Sequence, residues 1–87
     1  MERYELGFKP SVAKDLRGIP PTDVRRILDR IETLRDAPRP VGSEKLSSQE
    51  RYRVRQGNYR ILYTVNDAAA LVEVVKIGHR GDVYRKT

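Results

Sequence analysis

The chain has no cysteine and no tryptophan, and it carries one histidine, one phenylalanine and one methionine among 87 residues. Without cysteine, disulfides and thiolate metal sites are impossible, and His79 alone cannot build a histidine-based zinc site, so no metal or other cofactor is expected. With one phenylalanine and no tryptophan, the core falls to Val, Ile, Leu, Ala and Tyr. At this length that means one small core of modest stability, in a single domain spanning residues 1–87. No apolar stretch approaches the roughly 20 residues that span a bilayer. The first residues also lack the charged-then-apolar order of a signal peptide. A soluble protein of the cytoplasm is expected.

One charge sign is in excess, and it is concentrated in one half. The formal net charge is +6; residues 1–44 contribute +1 of it and residues 45–87 contribute +5. A basic composition alone describes many proteins that hold no specific anion, so the distribution of the charge carries more information than its sum.

Tyr4, Leu6 and Phe8 alternate with Glu5 and Gly7, the period of a half-buried strand, and Pro10 ends it. Val12, Ala13 and Leu16 fall on one face of a two-turn helix from Pro10 to Arg17, stopped by Gly18 and by Pro20-Pro21. Thr22 is the expected cap of a second helix, in which Val24, Ile27, Leu28, Ile31 and Leu34 recur at three- and four-residue spacing. Arg25, Arg26, Asp29, Arg30 and Glu32 fill its other face, which reads as solvated. Pro38 and Pro40 end this helix, and the segment to Glu50 has loop composition. Arg51 to Gln56, Tyr59 to Val65 and Leu71 to Ile77 read as three strands, separated by Gly57-Asn58 and by Asn66-Asp67-Ala68-Ala69. The order β-α-α-β-β-β predicts an α+β fold: a small antiparallel C-terminal meander in a mixed sheet, with two N-terminal helices on one face.

A two-residue turn at Gly57-Asn58 sets Arg55 opposite Arg60 and Arg53 opposite Leu62. Arg53, Arg55 and Arg60 then share one face, while Tyr52, Val54, Ile61 and Tyr63 point to the helices. Like charges opposed across strands repel, so the cluster is stabilised by an anion between them. The competing reading is ordinary surface pairing with Glu50, Glu73, Asp82 or acids of the helices, which contributes little. Beyond the last strand, Gly78-His79-Arg80-Gly81 places a His-Arg pair between glycines just outside the sheet, where sites are common. His79 can transfer a proton near neutral pH, Arg80 can stabilise a developing phosphorane charge, and Tyr84 can stack on a base. A lone histidine is more often structural than catalytic, and Tyr84 suits a core equally well. RNA supplies its own nucleophile, the 2′-hydroxyl, so such a surface is compatible with metal-independent strand cleavage.

Two segments carry a resemblance: Tyr52-Arg53-Val54-Arg55-Gln56-Gly57-Asn58-Tyr59-Arg60-Ile61-Leu62-Tyr63, and Ile77-Gly78-His79-Arg80-Gly81-Asp82-Val83-Tyr84. Together they resemble the RelE toxin family. The likeness extends over the whole chain, with Lys45-Leu46 matching a Lys-Leu pair in the family's loop, but only the C-terminal half is specific. It implies the toxin of a type II toxin-antitoxin system that enters the ribosomal A site and cleaves messenger RNA without metal, until a cognate antitoxin from an adjacent gene wraps it in a hetero-oligomer. By position, Arg53 and Arg55 match the family's basic pair, Arg60 the phosphate-stabilising arginine, Arg80 the second essential arginine and Tyr84 the base-stacking tyrosine, with His79 beside Arg80. Lys45, Arg51, Arg85 and Lys86 are the further basic residues expected against RNA.

The sequence departs from the family's best-known pattern where lysines can hold the positions of Arg53 and Arg55. A lysine can give up its proton when its pKa falls, whereas arginine does not, so Arg55 suits an electrostatic clamp better than a general base. His79, Tyr84, Lys45 and ribosomal groups remain the alternatives for the base, beside catalysis by positioning and charge stabilisation alone. The sequence stops at Thr87, so no extended C-terminal helix is expected. A ParE-like poison of DNA gyrase with the same architecture is the second reading, and a non-catalytic RNA- or antitoxin-binding module the third. Fold alone does not separate the three.

Overall fold

A computed structural model describes residues 3–46 and 51–79. Strand β1 (Glu5–Phe8) leads into helices α1 (Pro10–Arg17) and α2 (Pro21–Thr33), followed by β2 (Glu44–Lys45), β3 (Arg51–Gln56), β4 (Tyr59–Asn66) and β5 (Leu71–His79). The sheet order is β1-β5-β4-β3-β2. β1 runs parallel to β5 and every other pairing is antiparallel, so the sheet is mixed, as expected. Among the described residues no helix is long and apolar enough to cross a membrane.

Both helices start on proline, whose fixed φ suits the first helical position and whose missing N–H is not needed there. This displaces the expected cap of α2. Pro20, not Thr22, is the N-cap residue, with no side-chain cap bond, and its carbonyl accepts from the N–H groups of Asp23 and Val24 at 2.9 and 3.0 Å. Asp23 still lies in the first turn, where a carboxylate complements the helix dipole. Ile27, Ile31 and Leu34 are buried, whereas Leu28, at the margin of the apolar stripe, is 40% exposed.

Val12 of α1 joins these residues against Tyr52, Val54, Ile61, Tyr63, Val65, Val72, Val74 and Ile77 of the sheet. The period of two is kept through β3 and β4 and broken once in β5. Tyr63 pairs with Val74 but Leu62 pairs with Lys76, leaving Val75 as an extra residue. That bulge lets Val74 and Ile77, three apart, both reach the core.

Where β1 ends, α1 takes over the edge of β5. Lys9 N–H donates to the Val74 carbonyl, and one turn further along α1 Asp15 accepts from the Ile77 N–H at 3.1 Å and pairs with Lys76 at 3.5 Å. At the other end of the sheet a polar knot fastens the loop after α2. The buried Tyr63 hydroxyl donates to the Pro38 carbonyl at 2.7 Å, and burial pushes this phenol up to about 12. Arg39 lies over the Tyr52 ring at 5.2 Å, donates to its hydroxyl at 2.8 Å and pairs with Asp67 at 2.9 Å. Tyr4 donates to the same carboxylate at 2.6 Å, so Arg39 and Tyr4 together hold Asp67 below the usual carboxylate range.

Candidate nucleic-acid interface

The β3–β4 hairpin has the register that its two-residue turn dictates. Gly57 sits at φ +61, where glycine carries no Cβ penalty, and Arg55 pairs with Arg60, Arg53 with Leu62 and Arg51 with Thr64. Because Tyr52, Val54, Ile61 and Tyr63 are buried against the helices, the residues alternating with them occupy the opposite face. Arg51, Arg53 and Arg55 therefore form a row along β3 at roughly 7 Å intervals, with Arg60 beside its end. Arg51 and Arg55 are exposed, Arg53 is half-buried, and Arg60 is only 8% exposed. On its other side Arg60 is paired with Gly78, which has no side chain to contest the space.

Among the described residues, Glu44 is a carboxylate that meets this row, and it was not among those expected. Glu44 of the edge strand β2 is registered opposite Arg53 and forms an ion pair with it. Glu73 lies across from Thr64 and makes no ion pair among the described residues, while Glu50 and Asp82 lie outside them. A groove of about 530 Å³ opens beside this pair, lined by Arg30, Gly42, Ser43, Glu44, Arg53 and Arg55. Arg30, read from sequence as part of a solvated helix face, is thereby brought to the same groove as two of the strand arginines.

β5 is longer than the sequence pattern suggests, and this relocates His79. Rather than beginning a loop outside the sheet, Gly78 and His79 are its last residues, registered on Arg60 and Tyr59. The His79 ring meets the Tyr59 ring edge-on at 5.2 Å, on the side where the Tyr59 hydroxyl donates to Asp23 of α2 at 3.2 Å. Burial and the Asp23 carboxylate raise the Tyr59 phenol above its ordinary value. His79 thus stands at the helix side of the sheet's end, across the sheet from Arg60. Lys45 is exposed and registered on the core residue Tyr52, so it leaves the sheet on the side opposite to Glu44. Arg80, Tyr84, Arg85 and Lys86 lie outside the described residues.

The structure therefore brings Arg51, Arg53, Arg55 and Arg60 together, and sets His79 and Lys45 apart from them. Sequence reasoning missed Glu44 and Arg30. A two-residue strand leaves no periodicity to read, and a lone arginine on a charged helix face carries no mark of the groove it enters. Chemically, four guanidiniums that stay protonated can bind phosphates in bidentate fashion and stabilise added negative charge, but they accept no proton.

Residues 6–84 match the family described as the ParE toxin of type II toxin-antitoxin systems, parDE. The putative toxin RelE1 of Methanocaldococcus jannaschii is 32% identical, over 95% of this chain and 97% of that protein. The toxin RelG of Mycobacterium tuberculosis is 27% identical, over 95% and 98%. Among solved structures, the archaeal RelE-RelB complex from Pyrococcus horikoshii OT3 superposes with a TM-score of 0.79 at 27% identity, covering 92% of this chain and 98% of that one. The chain belongs to the ParE toxin family of type II toxin-antitoxin systems. Within it, the RelE-named relatives and the RelE fold make this protein a RelE-type toxin.

Proposed function

We propose that this toxin is a metal-independent, ribosome-dependent endoribonuclease that cuts messenger RNA and so stops translation in the cytoplasm. The observation that carries the reading is the row Arg51, Arg53 and Arg55 with Arg60 beside it, all on the sheet face that the helices leave uncovered. Four cations at strand spacing suit a phosphodiester backbone, whose contacts fix position, while a stacked base supplies selectivity. In cleavage, the 2′-hydroxyl loses its proton and attacks the adjacent phosphorus, the bond to the 5′-oxygen breaks, and that oxygen takes up a proton. Arg60, the most enclosed of the four, stabilises the charge that gathers on the phosphoryl oxygens, and Arg80 acts with it. Arg53 and Arg55 clamp the neighbouring backbone, Arg51, Arg85 and Lys86 extend the contact, Lys45 meets the strand only around the sheet's edge, and Tyr84 stacks on a base. No arginine can serve as the base. His79 reaches the reacting atoms only around the end of the sheet, so the first proton transfer falls to Tyr84 or to a ribosomal group.

A cognate antitoxin is the expected partner, because relatives of this chain are found as RelE-RelB complexes. A segment covering the arginine face would silence it by burying the cations against its own acidic or polar groups. The test is to induce the toxin and map messenger RNA ends on translating ribosomes, beside Arg60→Ala and Arg80→Ala. Codon-phased ends that vanish in both variants support the nuclease. One observation favours a second reading: the matching family model is described by its ParE member, and a gyrase poison would arrest growth with damaged DNA and intact message. Growth unaffected by induction would instead point to a non-catalytic binding module.

A further inference from the structure

The pairing of Glu44 with Arg53 has a use beyond neutralising a charge. Glu44 sits on a two-residue edge strand with its side chain 60% exposed, whereas the Arg53 side chain is 14% exposed. The carboxylate therefore rests, from the solvent side, on a guanidinium that the sheet already holds in place. Arg30 and Arg55, which line the same groove, have no carboxylate partner among the described residues. Arg30 comes from the last turn of α2, and it enters the groove beside Gly42, whose φ of +98 turns the chain there. Among the described residues the groove is thus lined by three cations and one anion, and that anion sits on an exposed two-residue edge strand.

We infer that the Arg30–Arg53–Arg55 groove is a phosphate subsite for the RNA strand, and that Glu44 occupies it as a built-in competitor that the strand must displace. The inference rests on the proposed RNA-binding face and adds to it a residue from α2 and a brake. The carboxylate half of the pair is open to solvent, so a phosphate presented by a strand anchored elsewhere can replace it. A phosphodiester offers the same bidentate geometry as the carboxylate. Glu44 thereby lowers the affinity of every strand that uses the subsite by the same factor, so RNA held by further contacts stays bound at concentrations where loose RNA does not.

The test measures binding of a short fluorescein-labelled single-stranded RNA to the purified toxin by anisotropy across a salt series, for the wild type, Glu44→Gln, Arg30→Gln and Arg53→Gln, with thermal melts confirming that each is folded. Glu44→Gln is expected to tighten binding about three- to tenfold. Arg30→Gln should weaken it and reduce the slope of log affinity against log salt by about 0.7, the loss of one phosphate contact. In the Arg53→Gln background the gain from Glu44→Gln should disappear, because the competitor acts through that guanidinium. If Arg53→Gln weakens binding while Glu44→Gln and Arg30→Gln leave it unchanged, the subsite and its brake are wrong and the arginine face stands. A gain from Glu44→Gln that persists without Arg53 reduces Glu44 to general repulsion and also overturns the inference. If neither the wild type nor Glu44→Gln binds the RNA, or if Arg53→Gln has no effect, the inference is overturned, while the ribosome-dependent reading is decided separately by the messenger RNA ends.

Discussion

The two faces of the central hairpin are built from the same two strands and share no task. On the helix side, Tyr52, Val54, Ile61 and Tyr63 are at most 7% exposed and join a core closed by Val12, Ile27, Ile31 and Leu34. On the other side, one residue along in each case, stand Arg53, Arg55, Arg60 and Leu62. Stability and function are thus interleaved at a period of two, and a shift of one residue in register would exchange them. The difference teaches that in so small a fold the site can be pinned by the core without being part of it. Each arginine is held in position because its chain neighbours are locked in place. The turn at Gly57 keeps this exchange from happening in the hairpin, and the bulge at Val75 restores the core face in β5.

Substitutions that treat neighbouring residues unequally probe that separation, and the largest effect is expected on the core side. Ile61→Ala removes a fully buried side chain and should destabilise the fold by about 2–5 kcal/mol in denaturant unfolding. Arg55→Ala, exposed and opposed to Arg60, should leave the denaturation midpoint unchanged or slightly raised, because a like-charge contact is relieved. Its cost should appear in messenger RNA cleavage, at about a hundredfold. An Arg55→Ala that unfolds the protein, or an Ile61→Ala that spares the fold but not the cleavage, would break the comparison.

The next effect is a pH dependence that belongs to the core side alone. The folded-state pKa of Tyr63 lies above the unfolded value of 10, so the proton it retains favours the native state, and this contribution is fully present below pH 10. It is lost as pH rises from 10 to about 12, by about 2–3 kcal/mol. Tyr63→Phe should cost about 1 kcal/mol at neutral pH, through the lost bond to Pro38, and should flatten the alkaline limb of the stability curve. The smallest effect is expected at Asp67. Its pKa is depressed by Arg39 and Tyr4, so its contribution is present above the ordinary carboxylate range and fades as pH falls through it. Asp67→Asn should soften the acid limb of the same curve without touching cleavage.

Much of this arrangement is legible in the sequence because local signals agree. Gly57-Asn58 between alternating runs dictates the register of the hairpin, and with it the sharing of a face by Arg53, Arg55 and Arg60. The apolar spacing from Ile27 to Leu34 likewise identifies the helix stripe, although Leu28 at its margin stays exposed. What escapes is set by contacts distant in the chain. Strand β2 exists only because Glu44 and Lys45 find β3, and the extra residue at Val75 hides in the apolar run Val74-Val75. Pro21 outcompetes Thr22 at the helix start because its own φ is already helical. His79 reads as a loop residue because two glycines flank the His-Arg pair, yet pairing with Tyr59 carries β5 through it.

The central claim, that the uncovered arginine face is the cutting surface, is tested most directly by mapping messenger RNA 5′ ends on translating ribosomes after induction of wild-type toxin and of a variant with Arg53, Arg55 and Arg60 all replaced by glutamine. Codon-phased ends are expected for the wild type and none for the variant, with both proteins folded to the same melting temperature or nearly so. Phased ends that persist in the folded triple variant would contradict it.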